Sequence, residues 1–251
     1  MPRAVAVLTV ALVLVVFGSS QAPAWPPDRG AVDDYIATRS GSVSYAVVGP
    51  RGHLFAYRGR REVPSASVIK VMFMTAYLRH FARGRALDDD DRALLGPMIK
   101  RSDNSAATRV ANMLGPRPIN RLARKAHMRH FHYTRPWGMS RVTATEQARF
   151  MYALDGYIPD RHDGYARYLL SHVIPSQRWG IGRTHHPNWR YFFKGGWGSG
   201  TGWVDHQVAF IERGATRIGL AVMITSSPSH SYGKQTLYGV FDRLMRDLPK
   251  G

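Results

Sequence analysis

The sequence predicts an α+β protein. One antiparallel sheet, built from both ends of the chain, is flanked by terminal helices and interrupted by an inserted all-helical lobe. Two β-prone runs lie near the N-terminus, a long helical stretch follows, and two more β-rich segments and a last helix end the chain. We expect one domain over residues 25–251, with the helical lobe at about residues 64–185. A cleft between lobe and sheet is the expected place for a functional site.

The N-terminal part predicts a short helix followed by a hairpin. Val32, Tyr35 and Ile36 stand at helical spacing after two prolines. Residues 42–49 and 53–59 are both rich in β-prone side chains, and the tripeptide Pro-Arg-Gly separates them. Such a separation between two strand-like runs indicates an antiparallel pair.

The middle of the chain predicts consecutive helices. Residues 68–78 are apolar almost all round except for Lys70, which is typical of a helix buried on every side. The next helix opens with the acidic residues 88–91, whose charge suits a helix N-terminus. The same periodicity predicts helices over 104–114, 118–126 and 143–154. In the last of these, Thr143 and Glu146 stand at capping-box spacing.

The C-terminal part returns to strands. Residues 204–211 and 217–225 are β-rich, and the five residues between them contain a glycine, which predicts a second hairpin. The final helix is indicated by an apolar stripe at the i, i+3, i+4, i+7, i+8 spacing. Its members are Leu237, Val240, Phe241, Leu244 and Met245.

Composition fits a globular protein with an affinity for anions. Of 251 residues, 44% are hydrophobic and 21% charged, which excludes a disordered or fibrous chain. The net charge of +18 favours anionic partners such as a cell-wall surface. The arginines of residues 117–135 are scattered over helix faces, so nucleic acid is not the expected partner. No cysteine is present, so the fold must rely on its core.

The first 24 residues are typical of a signal peptide. Arg3 precedes the apolar run of residues 4–17, and Ala22-Pro23-Ala24 has the form of a signal-peptidase site, so we expect cleavage before Trp25. The apolar run is shorter than the roughly 20 residues that a membrane span needs. The expected location is therefore extracellular, with retention by an uncleaved segment as the alternative.

Three short motifs carry candidate chemistry. Ser67 and Lys70 are three residues apart, so their side chains share one face at the start of the most apolar helix. Burial there disfavours the ammonium form, and a neutral Lys70 can take the proton of Ser67. Ser102-Asp103-Asn104 follows at a junction between helices, and Lys194-Gly195-Gly196 follows a β-prone run. Each motif is weak alone.

Together and in this order, S-x-x-K, S-D-N and K-x-G resemble the motif set of class A β-lactamases and penicillin-recognising enzymes. The resemblance covers nearly all of residues 25–251. It implies a serine hydrolase that needs no cofactor and acts on a small molecule or a peptidoglycan-type substrate. The spacing of the motifs is similar to that of a compact, secreted, actinobacterial-type branch.

The resemblance also implies roles for individual residues. Ser67 would be the acylated nucleophile, Lys70 its general base, and Ser102 a proton relay to the leaving group. Lys194 would stabilise negative charge on Ser102 and on a substrate carboxylate. Substrate binding would fall to Asn104, Gly195 and Gly196, and to Trp197, whose backbone N–H would form an oxyanion hole with that of Ser67. Asp103 is expected to cap the helix that follows it.

The departures from the family bear on substrate and rate. Class A enzymes carry a glutamate that activates the deacylating water, but the corresponding residues 133–141 contain no carboxylate. Glu146 is the nearest, and its spacing to Thr143 favours a structural role. Gly195 replaces a threonine whose hydroxyl binds the substrate carboxylate. Only 35 positions separate Ser67 from Ser102, which shortens the helical lobe. Slow β-lactam turnover is expected.

Other readings of the sequence remain open. The histidines lack carboxylates or cysteines at ligand spacing, so no metal site is expected; they are His127, His130, His132, His185 and His186. The glycine-rich residues 197–203 predict a turn, since no helix follows them. The alternatives to a turning-over hydrolase are a penicillin-binding or D-Ala-D-Ala carboxypeptidase-like protein that acylates and stalls, and a non-catalytic wall-associated module. We expect a monomer.

Overall fold

The computed structural model describes Met1, Trp25 and residues 27–248. The predicted signal segment and its cleavage site fall on residues 2–24, outside the described residues. Within the described part, no helix is both long enough and apolar enough to cross a membrane.

The centre of the molecule is a five-stranded antiparallel sheet. Its strands are β1 (Ser42–Val48), β2 (Leu54–Tyr57), β5 (Arg190–Gly198), β6 (Val204–Arg213) and β7 (Thr216–Thr225). They lie in the order β2-β1-β7-β6-β5. Both predicted hairpins are confirmed. The N-terminal hairpin adds to the C-terminal strands because β1 pairs with β7, with Ala46 opposite Ala221. A small second sheet pairs β3 (Val63–Pro64) with β4 (Arg141–Val142).

Eight α-helices complete the described part. They are α1 (Arg29–Ala37), α2 (Lys70–His80), α3 (Asp89–Lys100), α4 (Asn104–Leu114), α5 (Pro116–Lys125), α6 (Ala144–Tyr152), α7 (Asp160–Ser171) and α8 (His230–Met245). Helix α7 is absent from the helices that the sequence predicts. A 3₁₀ turn over Ala66–Ile69 leads directly into α2.

Alternation along the strands gives the sheet two buried faces. Val43, Tyr45 and Val47 of β1 pack with α1 and α8, whereas Ala46 and Val48 pack with the helices of the middle segment. The fold is therefore three layers: the two terminal helices, the sheet, and the helical middle. Helix α6 lies against β1, β6 and β7. The predicted sheet, its flanking terminal helices and the inserted helices are confirmed.

Two helix starts follow from local sequence. Asp88 caps α3, where its side chain accepts from the Asp91 N–H and the Asp91 carboxylate accepts from the Asp88 N–H. At α6, Thr143 accepts from the Glu146 N–H, but the Glu146 carboxylate accepts instead from the N–H of His130, at 2.9 Å, and contacts His130 Nδ1. Glu146 thus joins α6 to the segment before β4 rather than closing a reciprocal capping box.

Candidate active site

The 3₁₀ turn and α2 bring Ser67 and Lys70 to the junction between the helical middle and the sheet. Ser67 lies on the turn and is 9% exposed, and Lys70 is the first residue of α2 and is fully buried. Lys70 belongs to the apolar run that predicted this helix, and its neighbours in sequence, Ile69 and Val71, are also buried. The ammonium group is thereby removed from water.

Three hydrogen bonds hold the Lys70 amine, and none of them goes to Ser67 within the described residues. Lys70 Nζ donates to the Ser102 carbonyl at 2.6 Å, to Ser102 Oγ at 3.2 Å and to Asn104 Oδ1 at 2.8 Å. These acceptors sit at the start of α4. The S-D-N motif therefore fixes where the end of the lysine lies.

Ser102 is shared between two lysines. Lys194 Nζ donates to Ser102 Oγ at 2.8 Å and to the Gly195 carbonyl at 2.5 Å. The backbone of Ser102 has a φ of +57°, a region that non-glycine residues occupy rarely and under strain. This conformation places the hydroxyl within hydrogen-bond distance of both amines.

Burial lowers the pKa of both lysines. Desolvation lowers the pKa of Lys70 to about 7, while the negative charge of Asp103 acts in the opposite direction. For Lys194, desolvation and then the charge of Lys70 hold the pKa well below its usual value. Near neutral pH, a substantial fraction of Lys70 is therefore the free amine, the form that can accept a proton.

Asp103 and Asn104 have separate roles. The Asp103 side chain accepts from the Ala106 N–H at 2.7 Å and caps α4, as the sequence predicted. Asn104, the first residue of the helix, directs its side-chain oxygen at Lys70 instead. One motif thus supplies a helix cap and a lysine acceptor from adjacent residues.

Strand β5 passes so close to the Ser67 turn that only glycine fits at 196. A Cβ on Gly196 would lie 2.7 Å from the Ser67 nitrogen and 2.8 Å from the Val68 nitrogen. The backbone of Gly196 therefore touches the backbone that carries the candidate nucleophile. Trp197, the next residue, is 52% exposed, and its ring stacks on His230 with centroids 4.5 Å apart.

Gly195 has an ordinary strand backbone but no room for a side chain. Its φ lies outside the left-handed region, yet a Cβ would meet two ring carbons of Trp179 at 2.5 Å. Trp179 is almost completely buried and fills the space that a threonine side chain would need. A threonine at residue 195 would therefore require the Trp179 ring to move.

The stretch without carboxylates, residues 133–141, packs on α2 through aromatic rings. The rings of Tyr133 and Trp137 both meet Phe73 edge to face. Lys70 Nζ lies 5.0 Å from the centre of the Trp137 ring, and the indole N–H of Trp137 donates to Thr108 Oγ1. An indole thus faces Lys70 from this segment.

A buried histidine ties the sheet to the segment just before the Ser67 turn. His206 of β6 is completely buried; its Nε2 donates to the Pro64 carbonyl at 2.9 Å, and its Nδ1 accepts from the Ile224 N–H at 3.1 Å. Burial lowers the pKa of His206 to about 4, so the ring is neutral at physiological pH. His206, Trp179 and the contact of Trp137 with Lys70 are absent from the site that the sequence predicts, because no local pattern marks any of them.

All eight residues predicted for the site fall in one region. Three of the four polar side chains form a connected hydrogen-bonded set: Lys70, Ser102 and Lys194. Ser67 lies three residues before Lys70 on the same turn and is linked to this set only through the chain. Asn104 joins this set directly, and residues 195–197 line its β5 side. Within the described residues, no group of three or more His, Asp or Glu side chains is placed to hold a metal ion.

Solved structures share this fold. The β-lactamase from Sphaerobacter thermophilus is 22% identical with a TM-score of 0.77, and the match covers 88% of this chain and 97% of that one. An ancestral class A β-lactamase is 18% identical with a TM-score of 0.75, covering 87% and 98%. The chromosome-encoded β-lactamase of Vibrio parahaemolyticus is 14% identical with a TM-score of 0.76, covering 88% and 99%. No curated protein sequence matches.

The family is identified by sequence. The model of the beta-lactamase enzyme family matches residues 92–240, which is more than half of the chain. That range contains Ser102, Asn104 and Lys194, whereas Ser67 and Lys70 precede it. Family and fold together support a hydrolase of the serine type. The chain belongs to the beta-lactamase enzyme family.

Proposed function

We propose that this protein is an exported serine hydrolase that forms an acyl-enzyme at Ser67 and releases it slowly. The observation that carries the proposal is the cluster in which the Ser102 hydroxyl lies between Lys70, at 3.2 Å, and Lys194, at 2.8 Å. Two desolvated amines around one hydroxyl form a proton-transfer network, and such a network beside a serine is suited to acyl transfer.

In the proposed acylation step, the neutral amine of Lys70 takes the proton of Ser67 while Ser67 Oγ attacks a carbonyl carbon. The negative oxygen that develops is stabilised by the N–H groups of Ser67 and Trp197. Ser102 then passes its proton to the leaving group and takes one from the Lys70 ammonium, while Lys194 stabilises the charge that develops on the Ser102 oxygen. Asn104 keeps Lys70 in place and contacts the substrate amide.

Slow release of the acyl group is expected because Trp137 faces Lys70. The segment in which class A enzymes carry their deacylating glutamate presents Trp137 here, and an indole is no base for activating water. Acylation has a base in Lys70, whereas deacylation lacks a second one. The proposed substrate is a β-lactam or a peptidoglycan-type peptide, and the proposed location is extracellular, at an anionic wall surface.

Intact-mass measurement after incubation with a penicillin and, separately, with p-nitrophenyl acetate tests the proposal. The native protein should gain one acyl group from each reagent, with the penicillin adduct persisting and a chromogenic cephalosporin showing a burst followed by little turnover. Ser67→Ala should gain none and keep its melting temperature within a few degrees, whereas the exposed Ser105→Ala should behave as the native protein.

Each alternative gives a different result. Labelling that persists in Ser67→Ala would refute the nucleophile, and fast steady-state β-lactam hydrolysis would refute slow release. A stalled penicillin adduct together with release of D-alanine from a D-Ala-D-Ala peptide would identify a carboxypeptidase. No adduct with either reagent would identify a non-catalytic module.

A further inference from the structure

A second cavity lies behind the candidate active site, between α1, α8 and the residues 175–183. Its volume is about 930 Å³, within the range of small-molecule sites. Trp179 forms part of its wall and also packs against Gly195, so this indole separates the cavity from β5.

The lining is strongly cationic and contains no carboxylate. Five basic side chains line it: Arg39, Arg178, Arg183, Lys234 and Arg243. Within the described residues, none of the five forms an ion pair. Lys234 is close enough to Asp205 to interact electrostatically, but that carboxylate is already paired with His230. Five like charges around one cavity repel each other, so an anion inside it would be strongly favoured.

Two of the guanidinium groups are held in place before any ligand arrives. Arg39 stacks over the Tyr232 ring at 3.8 Å and donates from Nε to Thr236 Oγ1, while its Nη2 is buried and has no hydrogen-bond partner in the described part of the chain. Arg243 lies over the Tyr35 ring at 4.1 Å and donates to the Gly239 carbonyl. A buried donor without a partner is unfavourable, so the Arg39 guanidinium at the cavity wall has unused hydrogen-bonding capacity.

We propose that this cavity binds an anionic ligand that carries more than one phosphate group. Planar guanidinium groups match the oxygens of a phosphate and donate two hydrogen bonds at once. Several cations lining one cavity suit several negative charges, and the rings of Tyr35, Trp179 and Tyr238 provide apolar surface for the part that joins the phosphates. The site is independent of acyl transfer, because it contains none of the residues assigned to that chemistry.

Titration calorimetry with sodium triphosphate, at about 150 mM salt so that diffuse surface attraction is screened, tests the proposal. The native protein and Ser67→Ala should bind one triphosphate with the same affinity. Arg39→Gln/Arg243→Gln should weaken binding by about tenfold or more, because each lost charge-assisted hydrogen bond contributes substantially. Arg183→Gln/Lys234→Gln should weaken binding similarly, and it removes no hydrogen bond within the described residues, so folding should be unaffected.

The matched control is Arg121→Gln/Arg124→Gln, which removes the same charge from exposed positions on α5. It should change the affinity by less than about twofold. An equal loss in the control and the cavity variants would show non-specific attraction and overturn the proposal. So would tighter binding of citrate than of triphosphate, which would indicate carboxylate recognition.

Two phosphate sources are distinguished by a second titration with a glycerol phosphate oligomer. Binding of the oligomer that the cavity variants abolish would identify a phosphodiester polymer as the ligand. Binding of triphosphate alone would identify a soluble phosphate compound. Both outcomes support a phosphate site, whereas binding of neither probe by the native protein would refute it.

Discussion

The burial of Lys70 predicts how the acylation rate depends on pH. Its amine is fully buried and its pKa is lowered to about 7 by desolvation. In the proposed acylation step only the neutral amine accepts the Ser67 proton, so the acylation rate constant for a neutral ester should rise with pH, reach half its maximum near pH 7, and level off above it. Stopped-flow measurement between pH 5 and 9 checks this. A rate that is flat over the range would exclude Lys70 as the base.

The close contact with the Trp179 ring explains why residue 195 is a glycine. Adding a side chain there forces it into the buried Trp179 ring, so Gly195→Thr should lower stability by about 1–3 kcal/mol without improving acylation by penicillins. Placing the threonine in a Trp179→Val background provides the missing space. There, the hydroxyl should raise penicillin acylation by about tenfold and leave a neutral ester unchanged.

Thermal melts and acylation rates of the two single variants and the double variant separate these effects. Trp179→Val alone is the reference for the double variant, since it carries the same packing defect. If Gly195→Thr is as stable as the native protein, the Trp179 ring moves aside, and packing is not the reason for the glycine.

Strand β5 lies in direct contact with the turn that carries Ser67, the candidate nucleophile. Because a Cβ at residue 196 would press on the Ser67 and Val68 nitrogens, Gly196→Ala must push the strand and the turn apart. A shift of even 1 Å at a reacting group lowers the rate by about 100-fold, so acylation should fall by that factor. In Gly198→Ala, on the same strand, the new methyl group would lie 2.8 Å from Thr201 Oγ1, and this side chain, unlike the backbone of the Ser67 turn, can rotate away. The rate should therefore change by less than about threefold. Equal losses in the two variants would contradict this role.

His206 connects three strands, and its neutrality makes that connection sensitive to acid. Its folded-state pKa of about 4 lies below the ordinary value of 6.5, so the folded state binds the proton less well than the unfolded chain. The stabilisation is therefore complete above pH 6.5 and is lost as the pH falls towards 4, by up to about 3 kcal/mol. His206→Gln keeps a donor for the Pro64 carbonyl but does not titrate.

Urea unfolding of the native protein and of His206→Gln between pH 7 and 4 isolates this contribution, because other titrating groups are common to both proteins. The native protein should lose stability faster than the variant over this range. Parallel curves would mean that His206 accepts the proton without losing its contacts.

At the scale of the whole molecule, the sequence predicts the architecture because each element has a local signal. The strand pairs, the cap of α3 and the stripe of α8 are set by neighbouring residues. Helix α7 was missed because its buried side is short and interrupted: His162, Ala166, Leu169 and Leu170 alternate with charged and tyrosine residues. The glycines of residues 195–198 argue against a strand, yet pairing with β6 continues β5 through them.

In the candidate site, too, local motifs could be predicted from the sequence and long-range contacts could not. Its polar residues could be named from motifs, because the motifs are short runs of sequence whose order is informative. The contacts that shape it could not, because Trp179 against Gly195 and His206 against Pro64 join residues far apart in the chain. Only the folded arrangement of sheet and helices brings these pairs together.

The attachment of the helical middle to the sheet depends on an ion-pair network around Glu212 of β6. The Glu212 carboxylate accepts from Arg167 of α7 at 2.7 Å, from Arg217 of β7 and from Arg190 of β5, while Asp155 pairs with Arg167 and Arg217 as well. Burial acts to raise the pKa of Glu212, but the hydrogen bonds from Arg167 and Arg217 outweigh it and lower the pKa.

Glu212→Gln leaves these guanidinium groups with one carboxylate fewer. Breaking such a largely buried network should lower stability by about 3 kcal/mol, which corresponds to a melting temperature about 6–12 °C lower. The exposed Asp34→Asn, which removes the same charge from α1, should change stability by less than about 0.5 kcal/mol. The folded state lowers the pKa of Glu212, so this carboxylate contributes its full share of the folding stability above the ordinary pKa of 4.5. That share is lost as the pH falls below 4.5. The difference between native protein and variant should therefore shrink in acid. A difference that stays constant from pH 7 to pH 3 would show that Glu212 acts through packing and not through its charge.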